Sequence, residues 1–488
     1  MPISSQAPDA EEASFYPKIE LLIGGEWRSR QGSPIINPAN EAVLGHVPHA
    51  TTEDLADAVI AAERGFAVWR AMSPLRRHDI MIEAVRLLRE RTESIAVVMT
   101  LEQGKPIAQS RLEVQRAADM IAWDASEGRR LYGRVIPADG GMKLTVVREP
   151  IGIVAAFSPW NFPLSAPARK VGGALAAGCA IILKASEETP GSVMLLAKAF
   201  QDAGLPPGVL NLVFGDPAAI SDFLITHPAV RTVTFTGSVP VGKHLATLAG
   251  RHMKPAIMEL GGHGPVIVCE DTDPEAVAVL CAAAKARNAG QICVAPTRFF
   301  VHDAVYDRFV AAFTERALQF NMGDGLDPAS DIGPLINQRR LDAIDELVRD
   351  AKQQGARLTA GGVRSGRQGY FYPLTVLADV PDHARAMSEE PFGPLALIVR
   401  VHSVDEAIRR SNELPFALAA YAFTDSARYV ALISDTIECG NLAINHLTAS
   451  FAETPFGGVK ESGYGREGGI EGLLCYTTAK LVSHKTHL

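Results

Sequence analysis

The sequence predicts an α/β fold with two domains, each built on a parallel sheet. Short apolar runs alternate with helical stretches of about 10–15 residues, a pattern typical of βαβ units. The alternation runs through residues 151–258 and begins again within residues 262–445. A length of 488 residues also exceeds one ordinary hydrophobic core, so more than one domain is expected.

The first half of the chain combines a helical segment with the first strand–helix alternation. Residues 54–130 are rich in helix formers, with apolar residues at helical spacing. Helices are also predicted up to about residue 177 and near 188–203. Strands are predicted at the apolar runs 151–157, 180–184, 209–214 and 231–235. We therefore assign residues 1–130 and 150–258 to one domain.

The second half repeats this alternation and forms the second predicted domain, residues 259–446. Its predicted strands are 266–269, 298–301, 395–401, 418–423 and 442–445. Its predicted helices lie near 273–286, 303–319, 338–353, 403–412 and 426–437.

Residues 131–149 and 470–488 fit neither domain. Each contains a β-prone stretch, at 144–147 and 474–478, and we expect the two segments to pair with each other. An excursion of this kind leaves an exposed edge that invites pairing with another subunit. A homodimer or homotetramer is therefore expected.

Composition excludes several classes of protein. The net charge of −8 argues against a general affinity for nucleic acid, which requires a basic surface. No apolar run is long enough to span a bilayer, and the N-terminus resembles neither a secretory signal nor a transit peptide. We expect a cytoplasmic protein without membrane partners. The six cysteines are scattered without paired spacing, so neither a disulfide framework nor a metal site is predicted.

Three polar residues form a set with chemical meaning. Cys293 follows Gly290 and Gln291, Glu259 lies 34 residues upstream, and Asn161 stands between two prolines. A thiol, a carboxylate and an amide are a nucleophile, a base and an oxyanion donor. Such a set can attack a carbonyl, stabilise the alkoxide and hydrolyse an acyl-enzyme. Each residue alone also fits a structural role, as a core thiol, a surface charge or a turn amide.

Six motifs around these residues occur in a fixed order. Together they resemble the aldehyde dehydrogenase superfamily, collinearly from about residue 20 to the end. The motifs are FSPWNFP at 157–163, FTGS at 235–238, MELGG at 258–262, GQIC at 290–293, EPFGP at 390–394 and PFGGVK at 455–460. The resemblance implies two Rossmann-like domains, one binding a nicotinamide dinucleotide and one catalytic, plus a small β excursion for oligomerisation.

The resemblance also assigns catalytic roles. Cys293 would attack an aldehyde carbon, and Asn161 with the backbone N–H of Cys293 would stabilise the oxyanion. A nicotinamide must then accept hydride, which leaves a thioester for Glu259 to hydrolyse with water. Lys170 and Glu467 would lie on the proton path.

The cofactor motif differs from the common dinucleotide fingerprint, because no Gly-x-Gly-x-x-Gly follows a strand. Instead, Gly237, Ser238 and Gly242 lie where a strand passes into a helix, whose N-terminal N–H groups suit phosphate. Glu187 would accept both adenosine ribose hydroxyls, which favours NAD over NADP, although NADP use stays open. The further cofactor contacts that the resemblance implies are Ser158, Pro159, Trp160, Lys184, Ser186, Leu260, Glu390 and Phe392.

Two arginines suggest the substrate. Arg169 is eight residues after Asn161 and Arg287 is six before Cys293, and arginine binds carboxylates through a planar fork. The succinate-semialdehyde dehydrogenase branch of the family has arginines at both matching positions, so we expect a carboxylate-bearing semialdehyde. Ser450 and Phe451 would line the substrate entrance.

Other functions remain open at this stage. Glutarate semialdehyde, 2-oxoglutarate semialdehyde and a broad range of aliphatic or aromatic aldehydes are alternative substrates. A different class of enzyme, a cysteine thioesterase without a redox step, would use the same thiol and carboxylate.

Overall fold

The computed structural model describes residues 16–485, so the first 15 residues of the predicted first domain and residues 486–488 lie outside it. The strands, numbered in chain order, are β1 Leu21–Ile23, β2 Glu26–Arg28, β3 Gly32–Ile36, β4 Val43–Pro48, β5 Arg134–Ile136, β6 Met142–Pro150, β7 Ile153–Phe157, β8 Ala180–Lys184, β9 Leu210–Val213, β10 Val230–Thr236, β11 Ala256–Glu259, β12 Gly264–Val268, β13 Pro296–His302, β14 Arg357–Ala360, β15 Thr375–Ala378, β16 Leu395–Val401, β17 Phe416–Ala417, β18 Ala419–Phe423, β19 Asn441–Ile444, β20 Val459–Lys460, β21 Gly463–Tyr464 and β22 Thr477–Lys485.

The α-helices are numbered in the same way. They are α1 Thr52–Ala71, α2 Pro74–Glu90, α3 Thr92–Gln103, α4 Ile107–Gly128, α5 Ser165–Ala177, α6 Pro190–Asp202, α7 Pro217–Thr226, α8 Val239–Arg251, α9 Pro274–Ala286, α10 Tyr306–Leu318, α11 Gln338–Gln353, α12 Arg385–Ser388, α13 Val404–Asn412, α14 Ala427–Thr436 and α15 Gly469–Cys475.

The first sheet has the strand order β2-β1-β9-β8-β7-β10-β11-β21. The five strands from β9 to β11 are parallel, as the alternation predicted. The edge strands β2 and β21, and β1 next to β2, pair antiparallel and were not predicted. The β1–β2 turn uses Gly24 and Gly25 at positive φ. Two adjacent glycines are a hairpin signal, but a hairpin is not part of a helix–strand alternation.

The second sheet has the order β14-β15-β16-β13-β12-β18-β19. Its strands are parallel except for the edge strand β14. Each sheet packs into its own hydrophobic core. Trp69 and Phe200 belong to the first core, and Phe299 and Phe313 belong to the second. The mixed α/β fold with two mainly parallel sheets is therefore confirmed.

A third sheet joins β5, β6 and β22. β22 pairs antiparallel with β6 over nine residues, from Thr477 opposite Pro150 to Lys485 opposite Met142. The expected pairing of the two segments is present, but the predicted strand at 474–478 is wrong in its first part. Residues 469–475 form α15, which buries Leu473 and Tyr476 in the first core. This tertiary burial overrides the local β propensity.

Two buried glutamates fix the N-termini of helices near the site. Glu113 of α4 accepts hydrogen bonds from the backbone N–H groups of Leu164 and Ser165 at 3.0 and 3.1 Å, at the start of α5. Glu102 of α3 likewise accepts from the first N–H groups of α6. Carboxylates stabilise helix N-termini because they satisfy orphan donors and oppose the helix dipole. Between residues 16 and 485 no helix is both long and apolar enough to cross a membrane.

Candidate active site

One large cavity, of about 620 Å³, lies where the two sheets meet. It contains residues that follow β7, β10 and β11 of the first sheet and residues that precede β13 and β16 of the second. The predicted site residues in its wall are Cys293, Glu259, Asn161, Glu467, Ser158, Pro159, Trp160, Gly237, Ser238, Leu260, Glu390, Phe392, Arg169, Arg287 and Ser450. Glu259 and Phe392, which are 133 positions apart in the chain (392 − 259), thus line one cavity.

The topology explains why a ligand site forms here. β7 lies beside β10, yet the chain leaves β7 toward β8 and β9 on one side, and leaves β10 toward β11 on the other. Loops therefore diverge at the carboxyl ends of β7 and β10. Such a switch point opens a crevice in parallel α/β sheets, and ligands bind there. Ser158 and Trp160 follow β7, and Gly237 and Ser238 follow β10, so the predicted cofactor residues line this crevice.

Cys293 ends a strained turn. Asn288, Ala289 and Gly290 take positive φ values of 49, 49 and 69°. Left-handed backbone at non-glycine residues costs about 1–3 kcal/mol each and concentrates at functional sites. A Cβ on Gly290 would meet the carbonyl oxygen of Gly393 at 2.1 Å, so the turn packs closely on the loop that carries Phe392.

The thiol of Cys293 is partly exposed in the cavity wall. Burial raises its pKa to about 12, and the carboxyl groups of Glu390 and Glu259 raise it further, while the N–H groups of Val294 and Cys293 oppose the change. The free enzyme therefore holds a neutral thiol at pH 7. Attack on a carbonyl requires loss of this proton.

Asn161 lies in the cavity beside the nucleophile turn. Its side-chain N–H donates to the carbonyl oxygen of Gln291 at 3.0 Å, which leaves the second amide hydrogen for another acceptor. Its own backbone carbonyl accepts from the Lys105 ammonium at 2.8 Å and from the Asn288 amide at 3.0 Å. The amide and the turn are thus held together, as an oxyanion site requires.

Glu259 ends β11 with a buried carboxyl group. Neither carboxyl oxygen has a hydrogen-bond partner within residues 16–485. Burial raises the pKa of Glu259 well above its ordinary value, Glu467 raises it further, and Lys170 lowers it. A raised pKa suits a carboxyl that exchanges protons near neutral pH.

Lys170 and Glu467 form a buried ion pair at 2.5 Å. The ammonium of Lys170 also donates to the hydroxyls of Thr234 at 3.1 Å and Thr236 at 2.8 Å. Lys170 lies behind the cavity wall, whereas Glu467 is part of it. The two charges of this pair offset each other, and both act on Glu259: Glu467 raises the pKa of its carboxyl, and Lys170 lowers it.

The crevice fits a dinucleotide in two respects. The hydroxyl of Ser158 is buried without a partner among the described residues, and the hydroxyl of Ser238 makes no capping bond to α8. The orphan N–H groups at the start of α8 are the donors that a phosphate uses. A Cβ on Gly242 would meet Leu260 at 2.3 Å, so this glycine lets α8 approach Leu260 closely.

The predicted ribose-binding residues lie beside the main cavity rather than in its wall. Lys184 is paired with Phe157 in the sheet, and its carbonyl accepts from the Ser158 N–H at 3.1 Å. Its ammonium is bound to the Glu187 carboxylate at 2.6 Å. Glu187 also accepts from the Gly215 N–H at 3.1 Å. Ser186 donates to Glu188, which leaves Glu187 as the acid facing Lys184.

Glu390 and Phe392 lie at the opposite end of the crevice. The Glu390 carboxylate accepts from the Gly262 N–H at 3.0 Å, and burial raises its pKa to about 7. Phe392 takes a φ of 46° and meets Trp160 edge to face, with ring centroids 5.5 Å apart. Two aromatic residues thus enclose the space next to the thiol.

The substrate arginines differ in their contacts. One N–H of Arg169 donates to the hydroxyl of Ser450 at 2.6 Å, and its guanidinium lies 5.0 Å from the Phe456 ring. The guanidinium of Arg287 makes neither a hydrogen bond nor an ion pair with any residue from 16 to 485, and its Nε is buried. The side chain of Phe451 is exposed and does not line this cavity, and its backbone carbonyl accepts from Arg169 at 3.5 Å.

Sequence reasoning missed three residues of this site, all in or just before α4. Lys105 and Glu113 form a buried ion pair at 2.6 Å that supports Asn161 and the start of α5. Arg116 lines the cavity near Arg287. One signal was available, because Gln109, Glu113 and Arg116 are spaced i, i+4 and i+7 and so share a helix face.

The fold and the cavity define an α/β enzyme with a cysteine beside a dinucleotide crevice. The chain belongs to the aldehyde dehydrogenase family, whose pattern matches residues 27–482. This confirms the resemblance drawn from the six motifs. The protein is therefore an oxidoreductase that acts on small-molecule aldehydes and uses NAD or NADP. The alternative of a thioesterase without a redox step is set aside.

Similar proteins carry several substrate names. The chain is 48% identical to a putative 4-(hydroxymethyl)benzenesulfonate dehydrogenase of Comamonas testosteroni, over 96% of this chain and 99% of that protein. It is 39% identical to the NADP-dependent succinate-semialdehyde dehydrogenase of Escherichia coli, over 94% and 96%. A crystal structure of an NADP-dependent E. coli enzyme, 38% identical, superposes with a TM-score of 0.95 over 97% of this chain and 99% of that one.

Proposed function

We propose that this enzyme oxidises an aldehyde with a remote anionic group, such as the carboxylate of succinic semialdehyde, and that it prefers NAD. The observation that carries the proposal is the uncompensated guanidinium of Arg287, in the same cavity as Cys293. A half-buried cation without a partner is costly, and an anionic ligand removes that cost. Arg169 adds a second cation to the same wall.

The reaction begins at the sulfur of Cys293. After the thiol gives its proton to solvent, the sulfur forms a bond to the aldehyde carbon, and the carbonyl electron pair moves to oxygen. The free amide hydrogen of Asn161 and the N–H of Cys293 stabilise this oxyanion. Removing one such donor typically lowers the rate by about 10²–10³. NAD or NADP, when bound, accepts the hydride that leaves the carbon.

Hydrolysis of the resulting thioester belongs to Glu259. Its carboxylate takes a proton from water, whose oxygen bonds to the acyl carbon while the carbon–sulfur bond breaks. The products are the carboxylic acid and the regenerated thiol. The raised pKa of Glu259 makes its carboxylate a stronger base than an exposed one. Lys170 and Glu467 set the charge around this carboxyl.

The cofactor preference rests on Glu187. Its carboxylate suits two ribose hydroxyls and repels a 2′-phosphate. Lys184, bound to it at 2.6 Å, offsets part of that repulsion, so NADP is expected to work less well rather than not at all. The ratio of kcat/KM with NAD to that with NADP tests this preference, and a ratio below one contradicts it.

A second substrate candidate is an aromatic aldehyde with a sulfonate. The 48% identical relative is named for a benzenesulfonate, and a sulfonate places negative charge at the end of the molecule as a semialdehyde does. Both candidates use the same arginines, so they differ in the shape of the substrate rather than in its chemistry.

A substrate panel tests the proposal. Purified enzyme with NAD is mixed with succinic semialdehyde, glutaric semialdehyde, 4-formylbenzenesulfonate, hexanal and benzaldehyde, and reduced cofactor is followed by absorbance. We expect kcat/KM for an anionic aldehyde to exceed that of its uncharged counterpart by about 10–100-fold. Equal values for charged and uncharged aldehydes would contradict it.

We also propose that the chain assembles as a homodimer or homotetramer through the sheet of β5, β6 and β22. This sheet projects exposed apolar side chains, among them Val135 and Leu481, and β5 and β22 leave free edges. Light scattering coupled to gel filtration measures the mass, and a monomer at micromolar concentration would contradict the proposal.

A further inference from the structure

Arg116 and Arg287 share two cavities. Both line the main cavity, and both line a smaller one of about 40 Å³ beside it, together with Ser450 and Tyr421. The side chain of Arg116, like that of Arg287, makes neither a hydrogen bond nor an ion pair in the part of the chain from 16 to 485. The acid that acts on Arg287 is Glu113, and its carboxylate is already ion-paired with Lys105 at 2.6 Å. Two guanidinium groups thus line one cavity with the reactive thiol, and neither has an ion-pair partner of its own. Arg169 does not line the smaller cavity.

The two cations act on each other. Burial lowers the pKa of Arg287, and the charge of Arg116 lowers it further. Like charges in a partly buried space repel, which disfavours their placement together. An anion between them converts this repulsion into two attractions. The pairing of Arg116 with Arg287 therefore points to a ligand rather than to a structural role.

Ser450 completes the donor set. Its oxygen accepts a hydrogen bond from Arg169 at 2.6 Å. A hydroxyl that accepts in this way keeps its own hydrogen for a different acceptor, and Ser450 lines both cavities. Arg169 then acts through Ser450, as a positioning residue.

We propose that Arg116 binds the substrate directly and, with Arg287 and Ser450, forms a niche for an anion with three oxygens, a sulfonate. This inference rests on the proposed function. One arginine fork satisfies both oxygens of a carboxylate. Here two forks and a hydroxyl converge, which supplies donors for three oxygens. A carboxylate would leave Arg116 without an oxygen of its own.

The test compares three aldehydes on one ring: 4-formylbenzenesulfonate, 4-formylbenzoate and benzaldehyde. The variants are Arg116→Gln and Arg116→Lys. The matched control is Arg111→Gln, because Arg111 lies on the same helix but is exposed and paired with Glu93. In Arg116→Gln, we expect the ratio of kcat/KM for the sulfonate to that for benzaldehyde to fall by roughly tenfold or more. The corresponding ratio for the carboxylate should fall less than about threefold. Arg116→Lys should restore part of the sulfonate ratio, and Arg111→Gln should change neither ratio.

A binding measurement provides a readout besides turnover. Benzenesulfonate has no aldehyde, and it should slow the alkylation of Cys293 by iodoacetamide in the wild-type enzyme. Arg116→Gln should require roughly tenfold more benzenesulfonate for the same protection. Because alkylation reports on folded protein with an accessible thiol, this readout also shows whether the variant retains its site.

The outcomes separate the two proposals. A wild-type enzyme that prefers neither anionic aldehyde over benzaldehyde contradicts the proposed function. A wild-type enzyme that prefers the carboxylate over the sulfonate contradicts only the three-oxygen niche. The same holds if Arg116→Gln lowers both anionic ratios equally, or leaves them and the benzenesulfonate protection unchanged.

Discussion

The cationic side chains at the two ends of the cavity differ in whether they have an acidic partner. Behind the cavity wall at one end, Lys170 is fully buried and bound by Glu467 and two threonine hydroxyls. At the other end Arg287 and Arg116 line the same cavities without an ion-pair partner, because Glu113, the acid that acts on Arg287, is paired with Lys105. The paired end has its full set of interactions in the protein itself. The unpaired end does not, and we propose that the substrate supplies the missing interaction.

This contrast separates residues that tune the chemistry from residues that choose the substrate. A buried ion pair costs desolvation but holds its partners in fixed places. An uncompensated cation costs more and is kept only where a ligand binds. Cys293 lines the same cavity as Glu467 and Arg287, so we expect one substrate to place its aldehyde carbon at the thiol and its remote anion at the arginine.

The largest effect is expected from replacing Cys293, the residue that both ends of the cavity serve. Cys293→Ala should lower kcat by at least about 10³-fold, because no other group in the cavity can form the thioester. Cofactor binding, measured by calorimetry or fluorescence, should remain close to wild type. Turnover within tenfold of wild type would show that Cys293 is not the nucleophile.

The second largest effect is expected from breaking the ion pair between Lys170 and Glu467. Glu467→Gln leaves Lys170 buried without its acid, and breaking a buried pair costs about 3–5 kcal/mol of unfolding free energy. Urea denaturation measures the change. Glu471→Gln, an exposed acid on α15, is the control and should shift stability by less than about 0.5 kcal/mol. An equally small change in unfolding free energy for Glu467→Gln would show that the ion pair does not stabilise the protein, and it would contradict the contrast between the two ends.

Removal of the unpaired charge should affect specificity and not stability. Arg287→Gln should lower kcat/KM for succinic semialdehyde relative to hexanal by about 10–150-fold, as expected for loss of a charged hydrogen bond. The unfolding free energy should stay within about 1 kcal/mol of wild type, because repulsion from Arg116 is lost together with any packing. Arg308→Gln, an exposed arginine paired with Glu275, serves as the control. Equal losses on both aldehydes would reassign Arg287 to structure.

The last prediction concerns pH. Because burial and two carboxyl groups raise the pKa of Cys293 to about 12, the thiolate fraction of the free enzyme is small at pH 7. It should increase about tenfold for each pH unit below that pKa. Alkylation of Cys293 by iodoacetamide should therefore keep rising between about pH 7 and 10. A plateau near pH 8 would show that the thiol is activated before any ligand binds.

Sequence motifs predicted the parts of the site that are local in the chain. Asn161, Gly237, Glu259 and Cys293 each lie in a short string that ends a strand or a turn. The period of the apolar runs likewise predicted both sheets. Those predictions needed only neighbours in sequence.

Residues whose role depends on distant contacts were not predictable in this way. The ion pair of Lys105 with Glu113 supports the site only because the start of α5 and the loop that carries Asn161 pack on it. The role proposed for Arg116 depends on Arg287, which lines the same two cavities and also has no ion-pair partner among residues 16–485. Leu474 has strand propensity but lies in a helix, because its neighbour Leu473 is buried in the first core.

The most direct test of the account asks whether the acyl group is carried by Cys293. Glu259→Gln should stop hydrolysis while leaving attack and hydride loss intact. With NAD and succinic semialdehyde, we predict a rapid burst of about one equivalent of reduced cofactor, slow turnover afterwards, and an acyl adduct on the peptide that contains Cys293, detected by mass spectrometry. Undiminished steady turnover, or an adduct on any other residue, would contradict the account.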